Sequence, residues 1–138
     1  MAVRHSLLEI RTSGPGTVEI TAELTRELRR SGLLSGVATV FCPHTSCSLV
    51  AMENASPEAR ADLEAWLDRL VPPERGFAHR LEGPDDMPSH VKMALTRTSE
   101  SIPFDGGRLL LGVWQGIFLW EHRASPHSRK LHLTFIGE

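Results

Sequence analysis

The chain has no tyrosine, few aromatics (6% in all) and only two cysteines among 138 residues. So few cysteines exclude a disulfide scaffold of the small secreted type. Cys42 and Cys47 lie five apart in what reads as one extended segment, where they are poorly placed to bridge each other. With no exported leader in MAVRHSLLEIRTSG, reduced thiols in a cytoplasm are the expectation. C-x-H-x-x-C around His44 does not match the spacing of a closed structural zinc site, and a second ligand pair is missing. Long apolar runs are also absent. Leu109 to Trp120 is interrupted by Gly112, Gln115 and Gly116, and falls short of the roughly 20 apolar residues a membrane span needs. No glycine-rich phosphate loop, Ser-His-Asp order or H-E-x-x-H pattern occurs. Charge of one sign is lacking too. Fifteen Lys and Arg against 17 Asp and Glu give a formal net charge of −2, without the basic surface of a nucleic-acid binder.

What remains is a single domain, residues 1–138, with 41% hydrophobic residues and seven histidines. Val3 to Thr12 reads as a strand that ends in the turn Ser13–Gly16. Ile20, Leu24 and Leu28 recur every four residues and mark an amphipathic helix stopped at Gly32. Strands follow at Gly36–Phe41 and Ser48–Met52, separated by a Pro43 that removes a ladder donor. Ser56-Pro57-Glu58 is a helix start, and Pro72-Pro73 ends that helix. Residues 72–86 read as a long loop, and Asp85-Asp86-Met87-Pro88 opens a further helix to about Thr98. The remainder reads as strand: Ser99–Phe104, Arg108–Arg123 and Leu131–Ile136. The order β-α-β-β-α-α-β-β-β predicts an α+β fold with mainly antiparallel sheet. Within 108–123, alternation places Val113, Gln115, Ile117, Leu119, Glu121 and Arg123 on one face. Trp114, Phe118, Trp120 and His122 fall on the other. A strand apolar on both faces is central in the fold or covered by a partner subunit.

The histidines divide by context. His44 sits at the kink before Thr45, Ser46 and Ser48, where imidazole and hydroxyls are aimed together; a hydrogen-bonded strand break is the plain alternative. Asp86 and His90 open a helix whose free amides suit phosphate, with Lys92 close by; simple capping is the plain alternative for the Asp pair. His79, in the long loop, is a third imidazole that would complete an open metal site with His44 and His90. Gln115 and Glu121 need hydrogen-bond partners if buried, from a network or a ligand. Arg123, Arg129 and Lys130 flank a turn able to hold phosphate. His5, His122, His127 and His132 carry no motif.

Together, Pro43-His44-Thr45-Ser46-x-Ser48-Leu49, Glu53-Asn54, Gly83 to Lys92, and Leu111-Gly112-x-Trp114-Gln115-Gly116-Ile117 through Glu121-His122-Arg123 resemble the YjbQ-type family, often labelled secondary thiamine-phosphate synthase. The likeness runs from about residue 4 to Glu138. Val113 departs from it, where the family's strand usually has Thr. The resemblance implies a two-sheet α+β sandwich assembled as a homotrimer. It implies a site lined by His44, Ser46, Ser48, Asn54, Asp86, His90, Gln115 and Glu121, with histidines binding a divalent metal such as zinc. The implied activity joins a pyrimidine diphosphate to a thiazole phosphate and releases pyrophosphate. In that scheme Asp86, Glu121 and Gln115 are catalytic, Ser46, Ser48, Asn54, Lys92 and Arg129 hold substrate phosphate, and His44, His90 and His79 hold the metal. Metal-assisted hydrolysis of a phosphate ester, and a trimeric metal- or metabolite-binding protein without turnover, use the same parts.

Overall fold

The computed structural model describes residues 1–73 and 76–138. Two antiparallel sheets face each other across the main core. The larger has strand order β1 (Ala2–Thr12), β8 (His127–Gly137), β3 (Gly36–Phe41), β5 (Ser99–Asp105), β6 (Arg108–Leu109). The smaller is β2 (Gly16–Glu19), β7 (Gln115–Glu121), β4 (Cys47–Glu53). Alternation along the strands sends Leu8, Ile10, Leu131, Leu133, Phe135, Ala38, Val40 and Phe104 inward to meet Leu49, Ile117 and Leu119. Helix α1 (Thr21–Ser31) adds Leu24 and Leu28 to this core and ends at Gly32, whose φ of 73° is the left-handed cap expected of glycine.

Strand β7 is the middle strand of its sheet, and both of its faces are buried. Ile117 and Leu119 point to the core between the sheets. Trp120, on the opposite face, meets Leu67 and Val71 from α2 (Pro57–Leu70) and its end, while Phe118 lies under the Arg60 guanidinium, 4.8 Å from the ring centre. The two-sided apolar pattern therefore marks a strand sandwiched between the core and a helix. Helix α2 starts as its sequence dictates, with the Ser56 hydroxyl accepting the Ala59 N–H and Pro57 in the first turn. Among the described residues no helix is long and apolar enough to cross a membrane.

Three expectations shift. Gly16–Glu19, with Gly16 read as the end of a turn and 17–19 as no element, pairs with Phe118–Glu121 as β2. The single strand over 108–123 is two, because the backbone leaves the ladder at 110–114 and the Gln115 side chain accepts the Gly112 N–H instead. Helix α3 (Asp86–Leu95) begins two residues before Pro88, and neither Asp85 nor Asp86 caps it with its side chain. Residues 74–75 of the expected 72–86 loop lie outside the described residues.

The outer face of the larger sheet is bare. Register aligns Val3, Ile136 and Val37 in one row across three strands, and Leu7, His132 and Phe41 in another. Val3, Leu7, Val37, Phe41 and Ile136 are each 44–55% exposed. The row between them, His5, Thr134 and Thr39, is polar, so the face carries two apolar stripes flanking a polar one.

Candidate metal centre

Helix α3 carries Asp86 and His90 one turn apart, so both side chains rise from the same face. His79 folds back from the preceding loop onto that face. Its Nε2 lies 2.8 Å from Asp86 Oδ2, and His90 Nε2 lies 3.0 Å from the same oxygen. The three donor atoms stand within 4.8 Å of one another. His90 Nδ1 is 2.6 Å from the Thr45 carbonyl oxygen. A carbonyl only accepts, so Nδ1 carries a proton. The Nε2 of a neutral His90 is then a bare lone pair aimed at a carboxylate oxygen. Two lone pairs facing each other need a proton or a cation between them. The backbone carbonyl on the far nitrogen is also the arrangement that orients metal-binding histidines.

The donor set passes a simple fit test. Two imidazoles and one carboxylate match zinc and related divalent metals. Tetrahedral bonds of about 2.0–2.1 Å put ligand atoms roughly 3.3 Å apart, a few tenths wider than these contacts. A three-residue set on an accessible loop and helix leaves a position open, since the His79 side chain is 49% exposed and that of His90 26%. Asp86 itself is buried. Burial alone would raise its pKa, but the His79 hydrogen bond and the charges of His90 and Arg123 outweigh it and hold the carboxyl below its ordinary range. It is therefore an anion, ready to act as a ligand.

Arg123 fixes that anion from behind. Its Nη1 donates to Asp86 Oδ1 (2.6 Å), its Nε to Asp85 Oδ2 (2.9 Å) and its Nη2 to the Glu82 carbonyl (3.2 Å). Asp85 Oδ2 also accepts the Ala124 N–H at 2.8 Å. Arg123 is in turn set by Glu121, whose carboxylate is fully buried and saturated. Its Oε1 accepts from Thr12 Oγ1 (2.6 Å) and Arg129 Nε (2.8 Å). Its Oε2 accepts from Arg129 Nη2 and from the backbone N–H groups of His122 and Arg123.

The structure gathers some of the sequence-predicted site residues and separates others. Asp86, His90 and His79 converge. His44 does not join them: its Nε2 accepts the Lys130 N–H at 3.0 Å, so the kink at Pro43 turns the ring against β8. Glu121, expected as an acid–base group, has no free lone pair for the task. Arg129 and Ser46, expected to hold phosphate, are buried with it, Ser46 Oγ accepting from Arg129 Nη2 at 3.0 Å. Ser48 is buried against His122 Nε2 (2.8 Å). Lys92 pairs with Asp68 (2.6 Å) rather than projecting from the helix start. Gln115 and Asn54 sit at the other end of β7 and β4. Gln115 pairs with Glu53 whereas Glu121 pairs with Cys47, which puts those ends about 20 Å apart within one chain. There Asn54 donates to Glu19, so close to Gly116 that a Cβ would fall 2.5 Å from Glu19 Oε2.

Sequence reasoning gave Arg123 only a loose phosphate role and missed Ser89, whose buried hydroxyl lies 2.8 Å from the His122 carbonyl and ties α3 to the end of β7. The Glu121-His122-Arg123 triplet was the available signal, since alternating side chains at a strand end reach opposite faces. Beside His79 opens a cavity of about 200 Å³, lined among others by Phe77, Arg80, Met87 and Pro88.

Comparison with known proteins then decides the relationship. The family model described as "UPF0047 protein YjbQ-like" matches residues 6–138. The chain belongs to the YjbQ-like UPF0047 family. A UPF0047 protein of Synechocystis is 45% identical over 97% of this chain and 92% of its own length. The UPF0047 protein YjbQ of Salmonella typhimurium is 43% identical over 86% and 87%. In three dimensions, a YjbQ/UPF0047 family protein of Clostridium acetobutylicum superposes with a TM-score of 0.88 at 32% identity, covering 95% of this chain and 99% of that one. A protein of Thermus thermophilus gives a TM-score of 0.85 at 33% identity over the same shares. These solved folds bear out the α+β two-sheet expectation, and the family membership agrees with the motif resemblance.

Proposed function

We propose that this YjbQ-like protein is a small metal-dependent enzyme acting on phosphorylated heterocycles. Its specific reaction in this reading is the transfer that joins a pyrimidine diphosphate to a thiazole phosphate with release of pyrophosphate. The observation that carries the proposal is His90, with its Nδ1 proton spent on the Thr45 carbonyl and its Nε2 turned, with that of His79, onto Asp86. A divalent metal such as zinc, held by His79, Asp86 and His90, would supply Lewis-acid stabilisation of a phosphate oxygen. The chain's own residues do the rest. Arg123 keeps Asp86 ionised and pointed, and the Thr45 carbonyl fixes the His90 tautomer. Phe77, Met87 and the prolines at 84 and 88 offer an apolar slot for a flat ring, with Arg80 at hand for its phosphate. Lys92, paired with the exposed Asp68, and Arg129, buried with Glu121, support the frame rather than the leaving group.

Steady-state assay with both precursors, with and without zinc, tests the reading. Product formation should depend on zinc and fall at least about 100-fold in Asp86→Asn, which loses a ligand. Turnover that ignores both would defeat it. Phosphate release from either substrate alone would redirect the assignment to hydrolysis. The saturation of Glu121 favours a second reading, in which the centre binds metal and metabolite without turnover; zinc binding with no product would mark it. In either reading the two free thiols suit a cytoplasmic setting.

We also propose that copies of this chain cover the bare face of the larger sheet as a homotrimer, the assembly the family resemblance implies. The aligned rows Val3–Ile136–Val37 and Leu7–His132–Phe41 support it, as they present two exposed apolar stripes on either side of the polar row His5–Thr134–Thr39. Substituting Phe41→Asp together with Val37→Glu should shift the particle from trimer to monomer mass in light scattering, since unpaired charge would be buried at the contact. An unchanged mass would exclude this face as the interface.

A further inference from the structure

The Cys42 and Cys47 sulfurs are 3.4 Å apart, both buried, one at the end of β3 and the other at the start of β4. The short segment between them has no regular structure, and the kink at Pro43 folds it back so that two positions of one extended stretch become neighbours. The expectation that they are poorly placed to bridge is thus reversed. We propose that Cys42 and Cys47 form a reversible intrachain disulfide on reaction with hydrogen peroxide, closing a loop over residues 43–46. The sulfurs must approach to about 2.05 Å, a movement of somewhat over 1 Å. Because these strands lie in different sheets, no ladder hydrogen bond between them resists it.

The chemistry is balanced by the peroxide. The Cys42 sulfur, as thiolate, attacks one peroxide oxygen; the O–O bond breaks and the other oxygen leaves as water after taking a proton. The Cys47 sulfur then attacks the resulting Cys42 sulfenic acid, the S–O bond breaks, and a second water leaves with the Cys47 proton. Each sulfur is oxidised by one electron and the peroxide is reduced to two waters. The surroundings suit that order. As a thiol, Cys42 can donate to the Cys47 carbonyl at 3.5 Å; as a thiolate, it takes the Cys47 S–H, a contact that lowers the Cys42 pKa against burial, with the Arg129 charge helping and Glu121 opposing, while Cys47 is pushed upward beside it. In the segment between the two cysteines, Pro43 and Thr45 are exposed. The bracketed residues include Thr45, which holds His90, and Ser46, which meets Arg129. A bridge here would therefore control the segment that orients the candidate metal centre.

The test uses the whole protein. No Lys or Arg lies between Arg30 and Arg60, so trypsin leaves both cysteines on one peptide, 31–60. After hydrogen peroxide and acid quench, that peptide should lose the mass of two hydrogens and resist alkylation, and dithiothreitol should restore both. Cys47→Ser should show neither change and should instead trap a dimedone-reactive sulfenic acid at Cys42. Two thiols still fully alkylated after a dose that oxidises free glutathione completely would overturn the proposal. So would oxygen added to both sulfurs of the wild type without loss of hydrogen.

Discussion

Glu121→Gln should destabilise the folded chain by about 3–5 kcal/mol, read as a lower urea midpoint with an unchanged slope. The magnitude follows from what stays behind. Arg129 is 5% exposed and gives two hydrogen bonds to this carboxylate, so removal of the anion leaves a buried cation without a counter-charge. The N–H groups of His122 and Arg123 lose an ionised acceptor at the same time. Replacing both charges, Glu121→Leu with Arg129→Met, should recover part of the loss, because the buried-charge cost disappears while those backbone donors remain unmet. A change below about 1 kcal/mol in the single variant would mean that water reaches the pair. The same experiment separates positioning from chemistry: a folded Glu121 variant should bind zinc more weakly through a loosened Arg123, without losing the ligands themselves.

His122 should make stability fall with acid well above the range where carboxylates titrate. Its ring is 4% exposed, with Nε2 on Ser48 and the Ser48 hydroxyl 2.6 Å from that of Thr96. Burial first, then the nearby Lys92 charge, depress its pKa to about 3, with Arg129 acting the same way and Glu121 and Asp68 opposing. The folded form therefore stays neutral while the unfolded chain takes up a proton near pH 6.5. Stability from this group is complete above the unfolded value and declines as pH drops toward the folded one. By pH 4 the loss is about 3 kcal/mol. Unfolding free energies of wild type and His122→Gln, compared at pH 7 and pH 4, isolate it from the depressed carboxylates Asp86 and Glu121, which both proteins share. The gap between the two should narrow by that amount on acidification; a constant gap would show that His122 is protonated in the folded state.

The sheet and helix frame was legible where local signals acted alone. Leu24 and Leu28 at helical spacing, Ser56-Pro57 at a helix start and the two-faced pattern of Ile117 to Trp120 each specified an element that forms. Gly16–Glu19 escaped because four residues after a turn carry no alternation to detect; only pairing with β7 makes them a strand. Residues 110–114 escaped because a side chain, Gln115, competes with the ladder for a backbone N–H. At the site, the four-residue spacing of Asp86 and His90 placed both on one helix face, which needs no tertiary knowledge. His44 was a leading candidate in sequence and His79 only a third, yet the direction of the Pro43 kink sends the first to Lys130 and the fold of the loop brings the other to Asp86. The part played by Arg123 was hidden for a similar reason, since it acts across 37 residues of chain on Asp86.

Zinc titration by calorimetry, on protein purified without a histidine tag and stripped with chelator, tests the metal centre most directly. The wild type should bind one equivalent per chain, and His90→Ala and Asp86→Asn should each weaken binding at least about 100-fold. His44→Ala should leave the affinity within a few-fold, since that ring is held by Lys130 outside the cluster. Absence of binding in the wild type, or equal affinity in wild type and Asp86→Asn, would contradict the account.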